Sequence, residues 1–344
     1  MLNKLMVVDV SACVHTGDAS EFFKDRMSFN VPVGGIHYLM RQVCNCLNLR
    51  DGLVLCFDSP SKKATISSSY KSGRPQKPIV YNQLELLYQE LPRCGIACEK
   101  YRGYEADDIV DWAVQQWVDK VTEIQIVGND HDLMHSVQNK VWFKSVSVKN
   151  SVVQRGNFER EADKTYTVFN TISAKKALCG CKSDTIPSIE LENGIQGKEL
   201  YDRFCKFLVE QKIFCSYENT TDPGLLIAFA KFSKLFTPKD LQTLQKRIRL
   251  VYPARCPEEV EILPVTREMV DWSRLYHFLA MVGDRDSLHS LGCSTSVTLT
   301  EEEKQRMYDR ANRLKNGEYA ADRNVPFHTP VLKELSFDIF EREV

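Results

Sequence analysis

"GYEADDIVDW", residues 103–112, places three carboxylates within four positions and follows them with apolar residues. The acids are Glu105, Asp107 and Asp108. At a separation of about 4 Å and an effective dielectric constant near 20, two like charges repel each other by roughly 4 kcal/mol. A surface helix could spread these charges into water, whereas a cluster that faces inward needs a cation. The stretch therefore predicts either a solvated helix start or a cation-binding site.

Buried strands alternate with amphipathic helices on both sides of this motif. Apolar runs predict strands over residues 4–9, 53–58, 96–101 and 123–130. Apolar residues at helical spacing predict helices over residues 33–49, 80–91 and 107–118. Such alternation is typical of a parallel sheet with helices on both faces, so we predict an α/β fold.

Acidic residues stand at the ends of these predicted strands. Asp9, Asp58 and Asp130 each end a strand, and Asp132 follows shortly after. The 105–108 group opens the helix that comes after another strand. Ligands of open parallel sheets bind at the carboxyl ends of the strands, where helix N-termini also stabilise anions. We therefore expect acids from four separate stretches to converge on one edge of the sheet.

A convergent set of carboxylates favours a site for hard divalent cations. Mg²⁺ and Mn²⁺ prefer oxygen ligands. Two such ions about 4 Å apart promote phosphodiester cleavage. Each acid taken alone could be an ordinary helix cap or loop residue, but the joint pattern at four strand ends favours metal binding.

A basic stretch, YKSGRPQKP at 70–78, follows the second acidic strand. Pro75 and Pro78 interrupt any helix there, so Lys71 and Arg74 do not belong to the polar face of an amphipathic helix. Cations beside a carboxylate site can hold the phosphates of a polyanionic substrate. A solvated loop is the alternative interpretation.

The composition of the chain is that of a globular protein with room for two domains. Of its 344 residues, 43% are hydrophobic, and the net charge is −1. This net charge argues weakly against nucleic-acid binding. If eight of the acids occupied one metal cluster, however, the remainder of the chain would be basic.

Cysteine usage and hydropathy exclude other classes of protein. The twelve cysteines form no paired CxxC sets, which argues against a zinc ribbon and favours reduced, buried thiols. No segment approaches about 18 uninterrupted apolar residues, so we expect no membrane span. The N-terminal run is interrupted by Asp9 and is interpreted as a strand rather than a signal peptide. An intracellular protein is therefore expected.

The pattern changes after about residue 165. Helices are predicted over 194–215, 240–252 and 271–283, and the tail from 296 is highly charged. We predict domains over 1–165 and 166–295, followed by a tail over 296–344. The apolar residues of the tail could dock on a partner; they are Val331, Leu332, Leu335, Phe337 and Phe340.

Six motifs in order resemble those of the metal-dependent 5′-nucleases. This family comprises flap endonucleases and 5′→3′ exonucleases, including phage replication nucleases and the N-terminal domain of bacterial DNA polymerase I. The motifs are MVVDVS around Asp9, LCFDS around Asp58, YKSGRP at 70–75, GYEADDIV at 103–110, GNDHDL at 128–133 and GCKSDTIP at 180–187. The resemblance implies a PIN-like nuclease domain with a helical arch, followed by a mainly helical helix–three-turn–helix domain.

The resemblance also implies a role for each acid. Asp9, Asp58 and Asp107 would hold a first Mg²⁺ or Mn²⁺ ion, and Asp130 would lie between two sites. Asp108, Asp132 and Asp184 would hold a second ion, and Glu105 would act through waters. Catalysis would rest on Lys71 with Asp9, Asp107 and Asp130.

Nucleic-acid contacts follow from the same resemblance. Lys71 would contact the scissile phosphate at the base of the arch, while Arg74 and Lys63 would hold the strand. Gly194, Gly197 and Lys198 would form the turn that binds the duplex backbone and K⁺.

The GCKSDTIP segment departs from the family pattern. Cys181 stands where relatives usually carry an acid, and a thiol is a poor ligand for Mg²⁺. Lys182 adds a positive charge beside it, so the second metal site is in question. A rival match, MVGDRDS at 281–287, lies too far along the chain and fits the end of a packing helix better.

These features lead to a structure-selective 5′-nuclease as the expected function. Its substrates would be DNA with 5′ ends, flaps or nicks and RNA–DNA hybrids of primers, with a replication protein contacted through the tail. The expected location is the cytoplasm, that of the host if a phage encodes the chain. The alternative is a branched-DNA-binding protein of the same fold with weak cleavage. A PIN-type ribonuclease is disfavoured, because such enzymes are usually much shorter and lack the region after residue 165 and the YKSGRP stretch.

Overall fold

A six-stranded sheet organises the first half of the chain. The computed structural model describes residues 2–28, 31–73, 77–137, 140–146, 152–153, 171–210, 232, 236–292, 300–302, 305, 308–309 and 312. The strands of this sheet are β1 Lys4–Asp9, β4 Gly52–Cys56, β5 Cys98–Glu99, β6 Glu123–Gly128, β7 Val141–Ser145 and β8 Val152–Val153. They lie in the order β5-β4-β1-β6-β7-β8. The first five of these are mutually parallel and β8 is antiparallel, which confirms the predicted parallel α/β sheet.

The sequence of β1 explains its central place between β4 and β6. Leu5 and Val7 face one core, and Met6 and Val8 face the other, as the alternation of a strand requires. Because both faces are apolar, the strand must be covered on both sides.

Helices cover the two faces of this sheet. Helix α1 (Val10–Ala19), α2 (Gly34–Asn48) and α4 (Pro78–Glu90) contribute to one core, and α5 (Ala106–Trp117) contributes to the other. The predicted apolar face of α2 is buried throughout. A short antiparallel pair, β2 (Met27–Ser28) and β3 (Val31–Pro32), precedes α2.

The region of the predicted helical arch begins with a short helix, α3 (Lys63–Ile66). The next helix, α4, starts with Pro78 in its first turn, where a missing N–H costs nothing. Residues 74–76 lie outside the described residues, so the full shape of the arch stays a prediction.

A third core is built by helices of the second half of the chain. They are α6 (Thr171–Cys179), α7 (Gly197–Glu210) and α8 (Pro238–Val251). Tyr70, from the basic stretch, is buried in the same core. The domain boundaries and the helix–three-turn–helix motif stay predictions, although the described elements here are mainly helical.

After α8 the chain returns to the sheet. Val265 pairs with Leu53 of β4 through two backbone hydrogen bonds of 2.9 and 2.8 Å. Helix α9 (Trp272–Met281) packs into the same core as α2, and α10 (Arg285–Ser290) follows it. The MVGDRDS segment contains the end of α9 at Met281, as predicted, and Asp284 then caps the start of α10 by accepting a bond from Ser287 N.

The cysteines of the described residues form no disulfides, and most of them are buried, as the sequence predicts. No helix within the described part of the chain combines the length and apolar character needed to cross a bilayer.

Trp112 connects α5 to the returning segment, and its removal should be costly. Its indole is fully buried, and Nε1 donates to Ala254 O at 2.6 Å. We expect Trp112→Ala to lower the free energy of unfolding by about 3–5 kcal/mol in denaturant titrations followed by circular dichroism. Trp117→Ala, at a partly exposed site on the same helix, should cost clearly less. Equal losses for the two variants would contradict this packing.

Candidate active site

The acids at the strand ends also accept hydrogen bonds from backbone N–H groups at the starts of helices. Asp9 ends β1 and caps α1, with Oδ1 accepting from Ala12 N at 3.0 Å. Asp58 follows β4 and accepts from Ala106 N, at the start of α5, at 2.9 Å. Asp130 follows β6 and caps the 3₁₀ turn His131–Ser136. Each carboxylate is thereby fixed at the carboxyl edge of the sheet.

Three of the acids predicted at this edge of the sheet form a compact oxygen cluster. Asp107, Asp130 and Asp132 each offer one carboxylate oxygen, and the three oxygens lie within 4.8 Å of one another. The same residues line a pocket that also contains Lys63, Lys71 and Asp184. Three convergent carboxylates are a suitable donor set for a hard divalent cation.

The electrostatics of the cluster fit such a cation. Burial, reinforced by the charge of Asp58, raises the pKa of Asp9 to about 7. Burial, followed by the charges of Asp130 and Asp9, raises the pKa of Asp107 well above its usual range. The carboxylates are thus held together against their own repulsion, which a bound divalent cation would relieve.

Glu105 differs from this cluster because lysines already neutralise it. Lys63 Nζ lies 3.1 Å from Glu105 Oε2, Lys71 Nζ contacts Oε1, and the Tyr70 hydroxyl donates to Oε2 at 3.0 Å. Burial would raise the pKa of Glu105, but the two lysines outweigh it and lower the pKa to about 2. Glu105 therefore orients the lysines.

Asp108 has a capping role that the sequence did not reveal. Its Oδ1 accepts from Ala254 N at 2.7 Å, and its Oδ2 accepts from Glu105 N at 2.9 Å. Asp108 is almost fully buried, and Lys63 Nζ is 3.5 Å from Oδ1. Both oxygens thus face backbone donors, so Asp108 orients the helix that carries Asp107. The role of Asp108 as a ligand of a second metal stays a prediction.

Asp132 and Asp184 share a cation, Lys176, that the sequence analysis missed. Lys176 Nζ contacts Asp132 Oδ2 and lies 3.1 Å from Asp184 Oδ2. Lys182, the positive charge that the sequence places beside Cys181, has an exposed side chain. The usable signal was the position of Lys176 on the helix that leads directly into the GCKSD turn.

A second group that was missed ties the acidic turn to α5. His135 Nε2 lies 3.2 Å from Asp111 Oδ1, and Ser136 Oγ donates to the same oxygen at 2.8 Å. Burial lowers the pKa of His135, but Asp111 outweighs it and the net shift is upward. Asp111 lies one helical turn after Asp107, so this contact fixes the 130–132 turn against the helix that carries Asp107.

The described residues include only some of the predicted nucleic-acid contacts. Lys71 N donates to Asp184 O at 2.9 Å, which joins the basic stretch to the GCKSDTIP turn. Arg74 lies outside the described residues. Gly194 adopts a left-handed conformation with φ +81°, and Gly197 opens α7 so close to Leu178 O that a Cβ would lie 2.0 Å from it. Lys198 is exposed beside them.

The raised pKa of Asp9 predicts a pH-dependent stability in the absence of metal. The pKa rises from 3.8 to about 7 on folding, so the folded state holds a proton that the unfolded state releases. This contribution to stability is complete below about pH 4 and is lost as the pH rises through about 7. We expect Asp9→Asn to remove that loss in unfolding experiments in EDTA. Parallel pH profiles for wild type and variant between these limits would contradict the assignment.

Comparisons with known proteins identify one matching family and several similar proteins. Residues 4–163 match the family of the 5′-3′ exonuclease N-terminal resolvase-like domain. DNA polymerase I of Caldicellulosiruptor bescii is 25% identical over 287 residues, which is 78% of this chain but only 31% of that protein. The 5′-3′ exonuclease of Aquifex aeolicus is 25% identical over 216 residues, 58% of this chain and 70% of that protein. The T5 D15 protein co-crystallised with metal ions has a TM-score of 0.49 at 14% identity, covering 90% of this chain and 100% of that one. Residues 4–163 of this chain therefore belong to the 5′-3′ exonuclease N-terminal resolvase-like domain family.

Proposed function

We propose that the chain is a metal-dependent, structure-selective 5′-nuclease that hydrolyses DNA phosphodiesters. The observation that carries this proposal is the Asp107–Asp130–Asp132 oxygen cluster in a pocket that lysines also line. Carboxylates alone would repel a polyanion, whereas the combination with lysine ammonium groups suits a phosphodiester. The match of residues 4–163 to an exonuclease family supports the same reaction.

The cofactor we propose is Mg²⁺ or Mn²⁺. Asp107, Asp130 and Asp132 would hold it, and Asp9 and Asp58 would complete the oxygen set. Bound there, a divalent cation supplies Lewis-acid chemistry to a phosphodiester. Their raised pKa values make Asp9 and Asp107 sensitive to its presence, since ionised acids are stabilised by the cation.

Lys71 and Lys63 would bind the phosphate beside this centre. Their side chains are 23% and 12% exposed, so both ammonium groups are partly shielded from water. Glu105 holds both ammonium groups at the pocket through ion pairs. An ammonium fixed before the substrate arrives can stabilise the negative charge that develops in the transition state.

The substrates we propose are DNA molecules with 5′ ends, flaps or nicks, including RNA–DNA hybrids of primers. Gly194, Gly197 and Lys198 would contact the duplex backbone, with K⁺ at the same turn, and Arg74 would hold the single strand. The tail over 296–344 would contact a replication protein; its apolar residues lie outside the described residues.

A cleavage assay on a 5′-labelled flap tests the function directly. The full chain should release the labelled 5′ segment with Mg²⁺ and lose this activity when EDTA is added. The same flap with RNA at its 5′ end measures the preference for primers. Tight flap binding without cleavage in either metal would contradict a nuclease and favour a DNA-binding protein of the same fold.

Removing an acid of the centre should abolish cleavage without unfolding the protein. We expect Asp9→Ala or Asp107→Ala to lower the cleavage rate by about a thousandfold or more, because a ligand is lost. Stability in EDTA should hold or rise, since the repulsion among the remaining acids falls. Asp119→Ala, an exposed acid just beyond the same helix as Asp107, is the matched control. Activity of either variant within about tenfold of the wild type, a barrier change of only about 1.4 kcal/mol, would refute the ligand assignment.

Lys71 and Lys198 should divide catalysis and binding between them. Lys71→Ala should lower the cleavage rate by about a hundredfold with little change in Kd, because its charge acts in the transition state. Lys198→Ala should weaken duplex binding and reduce the salt dependence of Kd by about one counterion, with little change in the single-turnover rate. Single-turnover cleavage and fluorescence anisotropy measure the two effects. Equal losses of rate and affinity in both variants would contradict this division.

A further inference from the structure

The second acidic position of the centre is built differently from the first. The first position is formed by Asp107 and Asp130. Among the described residues, neither of these acids forms an ion pair with a lysine. The second contains Asp132 and Asp184, and Lys176 contacts both. The inference drawn from this difference rests on the proposed nuclease function and concerns how many metal ions the centre holds.

Lys176 is anchored so that its ammonium stays at this position. It lies on α6, whose neighbouring residues Ala174, Ala177 and Leu178 are fully buried in the third core. The Lys176 side chain itself is only 17% exposed. Its ammonium lies between the Asp132 and Asp184 carboxylates, whose side chains are only 16% and 6% exposed, so both ion pairs are shielded from water.

The remaining donors at the second position do not suit a hard cation. Cys181 Sγ is 3.0 Å from Ser183 Oγ. A thiol does not replace a carboxylate as a ligand of Mg²⁺. A divalent ion at Asp132 and Asp184 would also stand against the ammonium of Lys176, which repels it. The residues present therefore fit one divalent ion at the first position and do not fit a second ion.

We propose that the ammonium of Lys176 is the resident cation of the Asp132–Asp184 position, so that the chain binds a single divalent ion. The lysine neutralises the two acids permanently, whereas a metal would do so only at sufficient concentration. Asp132 is part of both positions, because it contributes an oxygen to the Asp107–Asp130–Asp132 cluster and also contacts Lys176. The lysine therefore lies next to the divalent ion proposed for the first position.

Counting bound ions in the absence of DNA tests this proposal without any cleavage assay. Titration of the metal-free full chain with Mn²⁺, followed by electron paramagnetic resonance of the unbound ion, gives the stoichiometry. We expect one Mn²⁺ per wild-type chain and two per Lys176→Met chain, because methionine preserves the length of the side chain and removes its charge. Lys175→Met is the matched control, since Lys175 is exposed on the same helix, and it should bind one ion.

A second variant tests the contribution of Cys181. Adding Cys181→Asp to Lys176→Met should tighten the second ion by at least about threefold, because a hard carboxylate joins Asp184. Thermal unfolding provides an independent readout: Lys176→Met should melt at lower temperature in EDTA and recover with Mn²⁺ more than the control does. Such recovery would support the proposal even if the variant proved too unstable for counting.

The outcomes separate this proposal from the proposed function. Two ions bound by the wild type, with no change in Lys176→Met, would overturn the role of Lys176 and leave the nuclease function intact. No ion bound by the wild type or by any variant would overturn the metal-dependent function and this inference with it.

Discussion

The repulsion among carboxylates at the carboxyl edge of the sheet is the constraint on which the site depends. Asp9, Asp107 and Asp130 come from separate elements, and burial raises the pKa of Asp9 and of Asp107, so the ionised forms of these two acids are expensive. A protein can meet this cost with its own cations or by binding one from solution. In this chain lysines neutralise Glu105 and Asp184, and the Asp107–Asp130 side offers carboxylate oxygens that suit the metal proposed above.

The surrounding structure holds the acids in place through hydrogen bonds that are independent of any metal. Asp9 and Asp130 cap the elements that follow them, so their backbone positions are fixed by local geometry. Asp108 fixes the start of α5 against the returning segment at Ala254, and His135 with Asp111 fixes the acidic turn. The centre is therefore organised before a cation arrives, and a cation that binds it has little reorganisation to drive.

The sequence predicted the sheet well because strand and helix periodicities are local signals. The acids at the strand ends were predicted for the same reason, since parallel strands direct their carboxyl ends to one edge. The different roles of adjacent acids on one helix turn were harder to predict. Asp107 and Asp108 look alike in the sequence, but Asp108 accepts a hydrogen bond from Ala254 N, which is distant along the chain. Whether an acid faces the site or the backbone thus depends on tertiary contacts that no local pattern encodes.

Lys176 was missed for a related reason, because its place depends on how the third core meets the sheet edge. Tyr70 is buried in that core, and Lys71 N donates to Asp184 O, so the basic stretch and the GCKSDTIP turn are joined directly. Lys71 and Thr185 both adopt left-handed backbone conformations, with φ 56° and 58°, which cost roughly 1 kcal/mol each for residues with a Cβ. Such conformations persist where surrounding contacts determine them. The junction that sets Lys71 beside Glu105 therefore also sets Asp184 beside Lys176, so the lysine proposed to bind phosphate and the proposed resident cation are positioned by one and the same contact.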